Sequence, residues 1–239
     1  MTEKKERWQI LSGSALKMLA IVTMLIDHLT AFIWRIEPSI WEPLFSLGHL
    51  QVTPYFLLRV VGRWSFPIFA FLIVEGYQHT HDRWRYGRNL LIFALLSEIP
   101  WNLVHTGTWH YSCQNIFFTL LLGYWGICVL ESQCHDRRRQ ALYLLGLLVL
   151  TIVLKADYGC AGFGFILMLY ILRNNRLLQA VIGSCVLGGR WIAGLAFIPI
   201  NMYNGQRGFI QGNVWKFAFY AFYPVHLVVI YLIQRSIML

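Results

Sequence analysis

The stretch Lys17–Trp34, KMLAIVTMLIDHLTAFIW, is almost entirely apolar, yet it carries an aspartate beside a histidine at Asp27 and His28. Crossing a hydrocarbon core about 30 Å thick takes roughly 20 apolar residues of helix, and this window has that length and composition. At about 1.5 Å per residue, His28 lies about 16 Å beyond Lys17, near the middle of such a core. A charged group there costs about 2.5–3.5 kcal/mol on insertion scales, so it faces protein or a wet cavity, and it marks a functional site by default.

Composition carries that reading to the whole chain. Hydrophobic residues make up 57 % of the 239 and charged residues only 13 %, about half the charged share of an ordinary soluble domain. The expected fold is an all-α, polytopic membrane bundle of about eight transmembrane helices, near residues 15–35, 54–76, 88–104, 114–132, 140–155, 160–172, 177–200 and 213–234. A basic cytoplasmic tail over 1–14 precedes one membrane domain over 15–239. The first apolar run lacks an A-x-A-like cleavage site and contains Asp27, so it reads as a retained span. The formal charge of +9 fits the positive-inside rule. No basic face interleaved with aromatics points to nucleic acid. The five cysteines form no CxxC and no ligand spacing, and His79 and His81 lack further ligands, so no metal is expected.

With the tail of Lys4, Lys5 and Arg7 in the cytoplasm, an even number of crossings puts HTHDRWRYGR, CHDRRRQ and RNNR on that side, and both termini with them. HTGTWHYSC, KADYG and NMYNGQRG then fall on the opposite side. No internal repeat suggests the inverted halves of many transporters. GCAGFG, Gly159 to Gly164, has neither the spacing nor the preceding strand of a phosphate loop and reads as close helix packing.

Other polar residues share the depth of His28. Arg63 falls mid-way in the second helix with Arg59 one turn away on the same face, Glu98 mid-way in the third with Asn102 a turn further, and His226 mid-way in the last. Two acids, Asp27 and Glu98, can balance Arg59 and Arg63. Adjacent helix residues point about 100° apart, so Asp27 is expected to pair with Arg63, leaving Glu98 or His226 to orient His28. Pro67, Pro100 and Pro224 each free a carbonyl four residues earlier, which membranes tolerate where protein or a wet cavity satisfies it.

The strings LKMLAIVTMLIDHLTAF, LRVVGRWSFPIFAFLIVEGYQHT, LLIFALLSEIPWNL, NIFFTLLLG, NGQRG and FAFYAFYPVHLVVIYLI, in order from about Leu16 to Leu232, together resemble the TraX family, named for the acetylase of conjugative pilin. That family is similar to the acyltransferase-3 group, in which a basic residue precedes a catalytic histidine by ten intervening positions; Lys17 and His28 match that spacing. The resemblance implies transfer of acetyl from cytoplasmic acetyl-CoA to a pilin-like peptide N-terminus at the inner membrane. His28 would be the general base with Asp27, Arg63, Glu98 and His226 around it. Lys17, Arg83, Arg85 and Arg88 would meet the acetyl-CoA phosphates, and Asn102, Asn115, Tyr223 and Arg207 the oxyanion or acceptor. Lysine in the basic position departs from the arginine pattern and binds phosphate as a point charge. A glycan or other hydroxyl acceptor, a proton-coupled transporter and a non-catalytic assembly factor stay open as alternatives.

Overall fold

A computed structural model describes residues 7–48, 50–133, 136–186 and 191–238. Lys4, Lys5 and Cys134 lie outside the described residues. The helices are α1 (Gly13–Phe32), α2 (Pro54–Gly62), α3 (Ser65–His79), α4 (Arg83–Thr106), α5 (Ile116–Leu130), α6 (Arg137–Val153), α7 (Gly159–Ile171), α8 (Arg176–Val186), α9 (Phe197–Asn201) and α10 (Asn213–Met238). A short antiparallel hairpin, β1 (Phe45–Leu47) with β2 (Leu50–Val52), interrupts the all-α pattern. Among the described residues, Gly13–Ile36, Pro54–His79 and Val214–Ile237 are long and apolar enough to cross a membrane. The protein is a helical membrane protein.

Helix starts follow local chemistry. Ser12, Thr53, Asp82, Asn115 and Asp136 each accept from a backbone N–H of the first turn of α1, α2, α4, α5 and α6, and Pro54 takes a position where its missing N–H costs nothing. Gly107 ends α4 in the left-handed conformation, φ 70°. The expected second span, 54–76, is divided into α2 and α3. Pro67 cannot donate to the carbonyl of Arg63, and the break falls there: α2 ends at Gly62 and α3 begins at Ser65. The expected seventh helix, 177–200, is likewise not continuous. Its described parts are α8, a 3₁₀ turn over Trp191–Ala196 and α9.

The chain forms two compact units. The first comprises residues 1–69 and 192–239. In it α1 and α10 run parallel: His28 meets His226 at mid-helix, and Gln234 donates to the Phe32 carbonyl near the far end. The loop 202–210 is pinned to the start of α1. Leu11 N–H donates to the Met202 carbonyl (2.9 Å) and Asn204 N–H to that of Leu11 (2.8 Å). Gly13 and Ser14 donate to the carbonyls of Gln206 and Arg207 (2.8 and 2.9 Å). These two N–H groups are among those a helix start leaves unsatisfied, so the loop completes the helix. Ser14 Oγ also donates to the Arg207 carbonyl and accepts from Ile210 N–H. Gly208, φ +85°, lies against Ser12 and Ser14 where a side chain would overlap them.

Two expectations are thereby corrected. NMYNGQRG lies at the same end of α1 as the N-terminal residues, not the opposite one. Parallel α1 and α10 also carry the C-terminal end of α10 to the face opposite Gly13, so the termini do not share a side. The charge count missed this because the loop carries a single arginine and satisfies the positive-inside rule on either face.

The second unit comprises residues 70–191. Close approaches are made on α3, where a Cβ at Gly76 would overlap Tyr86 of α4, and on α5: a Cβ at Gly123 would overlap Ile166, and one at Gly126 would lie 2.8 Å from Leu167 and 3.0 Å from Phe163, all on α7. Small residues that let helix backbones approach thus stand on α5; within GCAGFG, Gly162 is buried while Gly164 meets nothing within 4 Å. The loops before α5 and α7 are joined by a bridge between Gln114 and Ala156, and Thr119 in the first turn of α5 donates to the Asp157 carbonyl.

Candidate functional site

Three helices of the first unit, α1, α2 and α10, carry Asp27, His28, Arg59, Arg63 and His226 of the polar layer that the sequence marks. On α2, Arg59 NH1 lies 2.7 Å from Asp27 Oδ2 and also donates to the Asp27 backbone carbonyl at 3.2 Å. The expected pairing of Asp27 with Arg63 is corrected: the direct partner is Arg59. Arg63 sits at the break that Pro67 makes, as the C-terminal cap of α2, and acts on Asp27 through its field. Glu98, expected in the same layer, is held by an amide. It belongs to the second unit, where its Oε2 accepts from Asn115 Nδ2 at 2.6 Å and from Asn115 N at 3.4 Å.

Gly62 is what lets α2 come this close, since a side chain there would overlap the Asp27 carboxylate. We expect Gly62→Ala to cost about 1–3 kcal/mol, as overpacking does, read as a lowered thermal unfolding midpoint of the purified protein.

His28 Nδ1 and His226 Nε2 are 2.7 Å apart. The rings are within 3° of parallel with centroids 5.0 Å apart, the geometry of two imidazoles joined edge to edge in one plane. His226 Nδ1 lies 2.8 Å from the Phe222 carbonyl. The protons follow from this chain. A carbonyl only accepts, so His226 Nδ1 carries a hydrogen; the Nε2 of a neutral His226 then accepts, His28 Nδ1 donates to it, and the basic lone pair of His28 is on Nε2. His226 is 5 % exposed, His28 half-buried. Tyr223 is edge-on to both rings, with centroids 6.2 Å from His28 and 5.4 Å from His226.

At the starting end of the same two helices stand three cations. The charges that bear on half-buried Lys17 are those of Arg207, in the pinned loop, and Lys216, in the first turn of α10. Lys216 was missed in the sequence, where it reads as a boundary charge. Its signal was the spacing: it precedes His226 by ten residues, as Lys17 precedes His28 by eleven.

The remaining sequence-marked residues are in the second unit. Both hydrogens of the Asn115 amide are engaged, by Glu98 and by the Ala94 carbonyl, and Asn102 donates to the Trp109 carbonyl. These amides brace the loop between α4 and α5. Arg83, Arg85 and Arg88 are exposed at the start of α4, with the Arg83 guanidinium 4.5 Å over the Tyr77 ring. In the α4–α5 loop, burial pushes the Cys113 thiol up to about 11, so it is protonated near neutral pH and is no thiolate nucleophile.

An imidazole pair, one ring buried and one half-buried, between parallel apolar helices, with an ion pair beside it and cations one helix-half away, defines a helical membrane protein with a polar site between its helices. This chain belongs to the TraX family: the family model described as TraX protein matches residues 12–234. It is similar to a protein named probable fimbrial assembly protein FimC, serogroup H1, of Dichelobacter nodosus, at 26 % identity over 245 residues, covering 90 % of this chain and 93 % of that one. No solved structure matches it.

Proposed function

We propose that the protein is a multi-pass inner-membrane acetyltransferase that moves the acetyl group of cytoplasmic acetyl-CoA to a peptide N-terminus, with a pilin-like chain as acceptor. The observation that carries this reading is the relay from the Phe222 carbonyl through His226 to His28, lying about 15 Å of helix rise from the cations Lys17, Arg207 and Lys216. Acetyl-CoA has its phosphates at one end and its thioester at the other, joined by a long arm. Cations at the mouth hold the phosphates while the imidazole meets the thioester. Membership of the TraX family and the fimbrial name of the Dichelobacter relative support the acceptor class.

In this mechanism the neutral amine attacks the thioester carbonyl while His28 Nε2 takes one of its protons. The positive charge on His28 is shared along the Nδ1 hydrogen bond to His226. Tyr223 donates to the oxyanion, where such donors contribute most. The tetrahedral intermediate then collapses, the C–S bond breaks, and the proton on Nε2 passes to the leaving sulfur. An amide and free CoA result. Arg59 holds Asp27, and with it the turn of α1 that carries His28.

The test is acceptor-dependent CoA release by the purified protein in nanodiscs, with N-terminal peptides and sugars as acceptors and product masses read afterwards. Release with peptides establishes the reading, and release only with sugars moves the acceptor to a hydroxyl. Failure of folded protein to bind or turn over acetyl-CoA favours a non-catalytic part in assembly or a transporter instead. Lys17→Ala and Lys216→Ala are each expected to raise the KM for acetyl-CoA about fivefold to tenfold with kcat held, the pattern of lost uniform binding. Removing the 3′-phosphate of the donor should shrink that difference.

A further inference from the structure

Helix α6 is the least covered helix of the second unit. Thr151 is its buried residue, and Leu142, Tyr143 and Ile152 are 64, 61 and 60 % exposed. Along it runs an apolar groove of about 390 Å³, walled by Trp125 and Val129 of α5 and by Leu142, Tyr143, Gly146 and Leu150 of α6. The groove owes its depth to Gly146. Glycine inside a helix costs about 1 kcal/mol relative to alanine, and Gly123 and Gly126 offset that by bringing α7 close. A Cβ at Gly146 meets nothing within 4 Å, so this glycine keeps open space rather than admitting a helix.

One end of the groove is strongly basic. Arg137, Arg138 and Arg139 open α6, all exposed, against Asp136, which caps the helix and lies 3.4 Å from Arg139. Arg138 and Arg139 stand one turn before Leu142 and Tyr143 on the groove's own face, and helical side chains lean toward the N-terminus, which carries their guanidiniums to the headgroup level. Gln140 donates to the carbonyls of Val129 and Leu130 at 3.0 and 3.1 Å, fastening α6 to the end of α5 at this level. From Leu142 to Leu150 the groove descends about 12 Å, close to the depth of one leaflet of a core about 30 Å thick.

We propose that the α5–α6 groove is a specific site for an anionic glycerophospholipid, with an acyl chain along Gly146 and the phosphate at Arg138 and Arg139. Basic residues at the lipid interface attract anionic headgroups, and the groove turns that general attraction into a place. The site is independent of the acetyl-transfer reading.

The experiment is native mass spectrometry of the full-length protein released from nanodiscs of equal phosphatidylglycerol and phosphatidylcholine. Wild type should retain phosphatidylglycerol preferentially. Arg138→Gln and Arg139→Gln should each lower that preference roughly fivefold. Gly146→Leu, whose side chain enters open space, should lose the retained lipid whatever its headgroup. Equal retention of the two lipids by wild type, a preference that survives both arginine variants, or retention unchanged in Gly146→Leu would each overturn the proposal. So would cross-linking that places a partner's apolar helix in the groove.

Discussion

His28→Ala is expected to lower acceptor-dependent CoA release by about 10²–10⁴-fold, the range a positioned general base contributes, with the fold intact because His28 is half-buried and Arg59 still holds Asp27. An α-amine with an ordinary pKa of about 7.7–8.0 is partly neutral at pH 7 and attacks without full help, so peptide acceptors should retain more of the rate than hydroxyl acceptors. His226→Ala is a positioning change, expected to cost about 10²-fold, as a small misplacement of a reacting group does. Asparagine separates positioning from bulk. Its amide offers an acceptor toward His28 Nδ1 and a donor toward the Phe222 carbonyl, so His226→Asn should recover part of the loss. The assay is thiol release followed over pH with peptide and sugar acceptors in parallel. Equal loss on amines and alcohols would count against a general-base role, and no gain of asparagine over alanine at 226 would count against the relay.

The largest stability effect is expected at Arg59. Removing one partner of this half-buried ion pair, with side chains 22 and 16 % exposed, should cost about 3 kcal/mol, the lower end of the range for buried pairs; the charge left behind is the Asp27 carboxylate, whose Oδ1 is buried beside Gly62 with no hydrogen-bond partner among the described residues. Arg59→Leu should therefore lower the thermal midpoint in nanodiscs severely. The double variant Arg59→Leu with Asp27→Ala removes both charges and should recover most of the loss, since apolar replacement of a buried pair is often neutral. Arg63→Ala should cost less than Arg59→Leu, because Arg63 reaches Asp27 through its field and not through a direct ion pair. If the Arg63 variant proved the more damaging, the pairing assigned to α1 and α2 would be wrong.

These two expectations differ in how far the sequence foretells them. That His28 and His226 lie at mid-depth follows from counting residues along apolar helices, and that they need company follows from the cost of polar groups in lipid. That Arg59 rather than Arg63 answers Asp27 does not follow. Both lie on one face of the helix, and in the structure the Arg63 N–H still donates to the Arg59 carbonyl, so periodicity offers both arginines and only the packing of α2 on α1 selects Arg59. Pro67 was visible, but a proline fixes where a hydrogen bond is lost, not which way the chain leaves the break.

The sequence by itself determined what is local: where the apolar helices fall and which of them carry ionisable groups at depth, though the starts of α4 at Arg83 and α6 at Arg137 lie a turn or so before the expected 88 and 140. Each rests on contacts a few residues apart, which periodicity and capping encode. The tertiary structure alone decided that α10 runs parallel to α1, that residues 202–210 complete the first turn of α1, that Lys216 joins Lys17 and Arg207, and that Asn115 braces Glu98. Those join residues as far apart as 28 and 226. One helix's periodicity says which face is buried but carries no term for the direction or register of its neighbour, which packing and the satisfaction of buried polar groups must fix together.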